Sequence, residues 1–327
     1  LKKALLKILK IVLPLVLGLF LIYISYSQFS SDEIDAIKQD ITHANYWWTA
    51  LGMFLALLSH LSRAWRWNYM LSAIGYQPRY LHNIIAIGAG YAMNLLIPRS
   101  GEVSRAVIVN RTDGVPVDKA IGTIIAERVL DFIILLIITT IALLVAGDQV
   151  IQFFRDRLDS AFAKAELSQL IYLSITLVVA TILIVFALKY FNILHKIRQF
   201  IIGLKEGFMT IWTMEKKWLY LAHTLFIWIM YLLMFYVSIF AIPSLSTMPI
   251  AAVLSAFVAG SFAVAFTNGG LGAYPLFIAQ VLILFQIPET LGTALGWILW
   301  LSQTALVIVY GLISFLLLSF KGSVSTK

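Results

Sequence analysis

The residues of this chain best suited to chemistry are charged groups set in apolar sequence between residues 82 and 131. An apolar run, Ile84 to Ile97, is loosened by Gly88 and Gly90 and breaks at Pro98. Arg99, Ser100, Gly101, Glu102 and Arg105 follow at once. Arginine's planar fork matches a phosphate, and an uncovered helix N-terminus offers backbone N–H groups to the same ligand. Arg99, Arg105 and the Ser100–Gly101 backbone are therefore candidate phosphate-binding groups. Two plainer roles stand beside that one. Glu102 is stabilising near a helix N-terminus on dipole grounds alone, and Arg99 serves equally as a basic anchor at a membrane surface.

A polar turn, Thr112-Asp113-Gly114-Val115-Pro116, leads into a second apolar run that carries Glu127, Arg128 and Asp131. Glu127 lies ~12 Å beyond Lys119 along a helix rising ~1.5 Å per residue, so it is expected at membrane depth if Lys119 marks the surface. Glu127 and Asp131 are i,i+4 neighbours and Arg128 is three before Asp131. The spacing predicts all three on one broad helical face with Thr123. A carboxylate beside an arginine can remain ionised, so the roles open to the group are pairing with Arg99 or Arg105 or a place in a headgroup or proton path. Charge at such depth is costly and is read as functional by default; the alternative is an ion pair that only holds two helices together.

A third candidate is the turn Asn268, Gly269, Gly270, Leu271, Gly272. Its lack of side chains allows close approach of a backbone or ligand, although tight helix packing explains small residues equally well. It matches no nucleotide-binding fingerprint. His43, His60, His82, His195 and His223 show no metal spacing, and the absence of Cys excludes disulfides and thiolate chemistry. No metal and no cofactor is expected.

The elements that must position these groups are membrane helices. The chain is 61% hydrophobic and 12% charged, with mean hydropathy +0.91. Several apolar runs reach the roughly 20 residues needed to cross ~30 Å of hydrocarbon, and no alternating barrel strands occur. The fold class is an all-α polytopic membrane protein in one domain, 1–327. The net charge of +8 sits beside apolar segments, which points to lipid headgroups rather than nucleic acid.

Six spans are expected, at about 8–26, 46–67, 120–146, 168–188, 218–242 and 290–319, with an acidic loop at 27–46 and another loop at 147–167. The first span reads as a retained anchor. Arg63 and Arg66, interleaved with Trp65 and Trp67, read as interfacial. Basic residues place both termini in the cytoplasm, and the expected location is the inner membrane of a prokaryote. Both flanks of 82–98 are basic, so that run is expected to be re-entrant from the cytoplasm. Residues 249–287 read either as two crossings or as one re-entrant hairpin. Symmetry favours the hairpin, because 46–146 and 218–319 then form an inverted repeat of span, hairpin, span. The aromatic residues of the fifth span (Trp218, Tyr220, Phe226, Trp228, Tyr231, Phe235, Tyr236) are expected to face lipid or the interface.

Pro98-Arg99-Ser100-Gly101-Glu102 with Arg105, then Glu127-Arg128-Val129-Leu130-Asp131, then Gly269-Gly270-Leu271-Gly272 give the chain a resemblance along almost its whole length. It resembles the lysylphosphatidylglycerol synthase transmembrane-region family, flippase-like membrane domains that also occur alone. In two-domain relatives a soluble aminoacyltransferase follows the membrane region. The resemblance implies the translocating half without the synthetic half: a non-enzymatic flippase for a phospholipid or lipid-linked headgroup, including aminoacylated phosphatidylglycerol. Arg99, Arg105, Ser100 and Gly101 would hold the phosphate, and Glu127, Arg128 and Asp131 would gate or neutralise it. Two other classes remain: a lipid-binding protein that recruits a separate enzyme, and a membrane transferase using Glu127 or Asp131 as base. Homo-oligomerisation is left open.

Overall fold

Helices account for all regular structure in the computed structural model, which describes residues 2–98, 100–163, 209 and 211–322. Eleven α-helices occur among them. The first seven are α1 (Lys2–Ser27), α2 (Ser31–Thr42), α3 (Tyr46–Ala73), α4 (Tyr80–Leu96), α5 (Ser100–Asp113), α6 (Val117–Val145) and α7 (Gly147–Ala163). The others are α8 (Lys217–Ile239), α9 (Ile250–Phe266), α10 (Ala273–Leu282) and α11 (Glu289–Gly322). The expected span at 168–188 lies outside the described residues, as does most of the basic segment after it.

Three helices are individually long and apolar enough to cross a membrane: Val117–Val145, Lys217–Ile239 and Glu289–Phe320. The helix α3 is as long, but His60, Arg63 and Arg66 dilute its apolar character. Two expected loops are instead helical. Residues 31–42 form α2, bent 114° from the preceding helix. It starts with a capping box: Glu33 N–H donates to Ser30 Oγ, and Ser30 N–H donates to the Glu33 carboxylate at 2.8 Å. Residues 147–163 form α7 rather than a loop, an amphipathic helix that follows α6 after a single-residue break.

Between α3 and α6 the chain makes a helical hairpin. The helices α4 and α5 run antiparallel, tied at the tip by Gly101 N–H on Asn94 Oδ1 (2.7 Å) and at the base by His82 Nδ1 with Asp113 (2.8 Å). Gly90 and Gly101 let the two backbones touch; a Cβ on Gly101 would collide with the Gly90 carbonyl. A second hairpin, α9 with α10, lies between α8 and α11. Its 17 and 10 residues reach about 25 and 15 Å at ~1.5 Å per residue, short of the ~30 Å of a bilayer core. Its turn has Gly269, Gly270 and Gly272 at φ of 64°, 80° and 70°, backbone that a side chain would strain. Leu95 at the tip of the first hairpin lies 3.7 Å from where a Cβ on Gly269 would stand, so the two tips meet.

The long helices frame these hairpins. Antiparallel packing of α3 on α8 is fixed by Gly52 against Met234 and by Ser62 Oγ with His223 Nδ1 at 2.8 Å. Helix α4 packs on α11, where Tyr310 donates to the Ile84 carbonyl at 2.7 Å, and α9 packs on α6. Two apolar clusters result. One joins α9, α10 and α11 to α8 and the C-terminal half of α6 (Leu135, Phe235, Phe257, Ile278, Leu299). The other joins the C-terminal half of α3 to α4, α5 and the start of α6 (Trp67, Leu71, Ile87, Val109, Ile124). The charged residues lie where these clusters adjoin.

Candidate functional site

Two helix faces make the site. Arg63 and Arg66, three apart on α3, project from one side; Glu127 and Asp131, four apart on α6, project from the other. Arg66 grips Asp131 with both terminal nitrogens, Nη1 to Oδ1 at 2.6 Å and Nη2 to Oδ2 at 3.1 Å. Arg63 Nη1 reaches the same Oδ2 at 2.9 Å. Arg66 Nε then donates to Glu127 Oε1 at 3.3 Å. Arg105, from the second helix of the first hairpin, closes the chain with Nη2 on Glu127 Oε2 at 2.8 Å.

The helix α8 contributes the neutral rim: Thr224 Oγ1 accepts from Arg66 at 3.3 Å and Tyr231 OH from Arg63 at 3.4 Å. Aromatic faces cover the cations. The Arg105 guanidinium lies 4.2 Å from the centre of the Trp67 ring, and Arg66 lies 5.6 Å from that of Tyr220. Trp67 is held in turn by its indole N–H on Thr123 Oγ1 at 3.0 Å.

These five charged residues are buried, Arg66 and Glu127 completely and none more than 8% exposed. Removing such ions from water costs several kcal/mol each, recovered only through close geometry and satisfied hydrogen bonds. The geometry is close, but the charges do not balance. Three guanidiniums face two carboxylates. The Nε of Arg63 and the Nε and Nη1 of Arg105 have no hydrogen-bond partner among the described residues. Chemically, this is a cationic interior with spare N–H donors, suited to an anion.

The expected site residues only partly come together. Glu127, Asp131 and Arg105 come together, Arg105 being one of the two arginines expected as a partner of the carboxylates. Arg128 turns away from them: it pairs with Glu102 at 3.2 Å on the outer side of α5 and α6, with both side chains partly exposed. Arg99 lies outside the described residues. Ser100 and Gly101 begin α5, but their polar groups are already engaged. Ser100 Oγ donates to Met93 and Ile97 carbonyls, and Gly101 N–H is held by Asn94. A phosphate would have to displace Asn94 to use that N–H.

Asn268, Gly269, Gly270 and Gly272 sit apart from the charges, in the turn of the second hairpin. The Gly269 carbonyl accepts from Trp300 Nε1 at 2.8 Å, Gly270 N–H donates to Thr267 Oγ1 at 3.1 Å, and Gly272 packs on the Gly18 backbone of α1.

Arg63 and Arg66 were read from the sequence as interfacial, and the structure corrects this: both are interior ligands of Asp131. Matching spacings, i,i+3 in the arginines and i,i+4 in the carboxylates, were the available signal. The aromatic face of α8 needs a similar correction. Trp218, Phe226 and Tyr236 are exposed, whereas Tyr220, Trp228 and Phe235 are buried, Tyr220 against Arg66.

The fold and the site together define a helical integral membrane protein with a buried charged network. Its sequence places it further: the chain belongs to the family of the lysylphosphatidylglycerol synthase TM region, whose profile matches residues 9–318. It is also similar to the UPF0104 membrane protein MJ1595 of Methanocaldococcus jannaschii, with 26% identity over 109 residues. That match spans 32% of this chain and 32% of the relative's length. No solved structure matches the chain.

Proposed function

We propose that the protein moves a phosphate-bearing lipid headgroup between membrane leaflets, with the network of Arg63, Arg66, Arg105, Glu127 and Asp131 as the polar station on the way. The observation that carries this reading is the burial of five formally charged groups inside an apolar bundle. An apolar core of equal volume would be no less stable, so charge kept at this depth is assigned to function. Membership of a family described by a lipid synthase's membrane region supports a lipid substrate.

We read α3 to α6 and α8 to α11 as inverted repeats, each a long helix, a re-entrant hairpin and a long helix. The pairing supports it. The helix α3 packs antiparallel on its counterpart α8, and α4 packs on α11 as α9 packs on α6. Gly114 then faces the cytoplasm and Ser244 the outside, with the protein in a prokaryotic inner membrane. Arg105 rides on the first hairpin while Glu127 belongs to the frame. Rocking of the hairpin makes and breaks their 2.8 Å contact and exposes the cations to one side at a time. The step requires no bond to be made or broken.

The test is leaflet-resolved. Fluorescent phospholipid in proteoliposomes is quenched from outside by dithionite, and the protected inner pool is followed. Loss of that pool in vesicles containing the protein, at a rate that Asp131→Asn lowers, is expected. Binding of lipid without any exchange would favour a lipid-binding protein that recruits a separate enzyme.

A further inference from the structure

The polar interior extends beyond the ion pairs. His60 lies on α3 one turn before Arg63, is 6% exposed, and has no hydrogen-bond partner at either ring nitrogen among the described residues. Its ring sits among three tyrosines. Tyr91 of α4 is 4.7 Å away, Tyr310 of α11 is 6.0 Å away and nearly parallel, and Tyr231 of α8 is 6.3 Å away. Tyr231 also accepts from Arg63 at 3.4 Å, which joins these rings to the charged network. Five buried polar atoms therefore lack partners in one region: both His60 nitrogens, Arg63 Nε, and Arg105 Nε and Nη1. Buried polar groups are almost always hydrogen-bonded, and a cluster of exceptions points to a ligand.

The charge balance indicates which ligand. Three guanidiniums against two carboxylates leave one formal positive charge uncompensated among the described residues, because Arg128 and Glu102 cancel each other. A monoanion restores neutrality. A headgroup whose ammonium cancels its own phosphate leaves the excess in place, and a net cationic headgroup adds a like charge to it.

We infer that His60, Arg63 and Arg105 form a subsite for a phosphate diester that carries hydroxyl groups and no ammonium. The guanidinium N–H groups donate to phosphate oxygens. His60, donor at one nitrogen and acceptor at the other, exchanges hydrogen bonds with a hydroxyl. This deepens the translocation reading and rests on it: the moved headgroup is the anionic one, and its aminoacyl ester is rejected by like charge.

Native mass spectrometry of the full chain tests this with equal amounts of phosphatidylglycerol, phosphatidylethanolamine and lysylphosphatidylglycerol, and separately with glycerol 1-phosphate. Phosphatidylglycerol should be retained at least tenfold over both ammonium-bearing lipids. His60→Leu should cut its retention at least fivefold while holding Tm at or above the parent value, since it removes an unpartnered polar ring. Equal retention of the three lipids overturns the proposal, and so does undiminished phosphatidylglycerol binding by His60→Leu. If that variant fails to fold, the selectivity of the parent protein decides the matter. Glycerol 1-phosphate bound as tightly as the lipid would uphold the anion subsite and refute lipid translocation. Selective phosphatidylglycerol binding without movement in vesicles would uphold the subsite and refute transport alone.

Discussion

Glu127→Gln is the perturbation whose cost the structure fixes best. The carboxylate is fully buried and accepts from Arg105 at 2.8 Å and Arg66 at 3.3 Å. Glutamine keeps the volume and one acceptor oxygen, but turns an NH2 donor toward a guanidinium donor. It also leaves Arg105 without a carboxylate. Breaking one partner out of a buried pair costs about 3–5 kcal/mol. At roughly 2–4 °C per kcal/mol for mid-sized domains, the midpoint should fall by on the order of 10 °C. Intrinsic tryptophan fluorescence during a thermal ramp measures this, and the chain's nine tryptophans supply the signal. Adding Arg105→Met removes the stranded cation and should restore at least half of the loss, a non-additivity that marks direct coupling. A midpoint within about 2 °C of the parent for Glu127→Gln alone would place the carboxylate in water and refute the reasoning.

Other substitutions separate the interior from the surface. Arg128→Ala or Glu102→Ala should cost less than ~1 kcal/mol, read as a nearly unchanged thermal midpoint, because their pair is 44% and 31% exposed. Gly88→Val should destabilise by about 1–3 kcal/mol, since any Cβ there meets Ser314 and Tyr310 of α11; Gly114→Ala, with nothing within 4 Å, should lose only what its left-handed backbone (φ 71°) demands. Both are read by the same thermal ramp. Cysteines at Gly114 and Ser244 in this Cys-free chain should be labelled from opposite sides by an impermeant maleimide, and same-side labelling would undo the repeat.

Glu127 and Asp131 were legible because acidic residues a few turns into an apolar run have no solvent to face. Arg105 was legible only as one of two arginines that could pair with them. Arg63 and Arg66 were not, because arginine mixed with tryptophan at the end of an apolar stretch describes a membrane interface just as well. Only the packing of α3 against α6 and α8 turns that stretch inward. Tyr220 was misjudged for the same reason: an all-round aromatic helix does not say which side a neighbour covers. The α2 helix carried a readable signal, Ser30 with Glu33 three residues on, which its acidic composition masked. Hydropathy could not separate a hairpin from two crossings at 249–287 because apolarity is equal in both cases; the 17 and 10 residues of α9 and α10 support the hairpin reading proposed above.

The central claim is that the first hairpin rocks against the rest of the bundle, the second hairpin included, to pass a headgroup. Leu95→Cys with Gly269→Cys places the reacting pair where the two tips meet, at positions where Leu95 Cδ2 lies 3.7 Å from the place of a Gly269 Cβ, in a chain with no other cysteine. Lipid exchange in proteoliposomes is measured before bridging with a short bis-methanethiosulfonate, after it, and after reduction. The account predicts exchange that stops on bridging and returns on reduction. Exchange at the unbridged rate in fully bridged protein would contradict it.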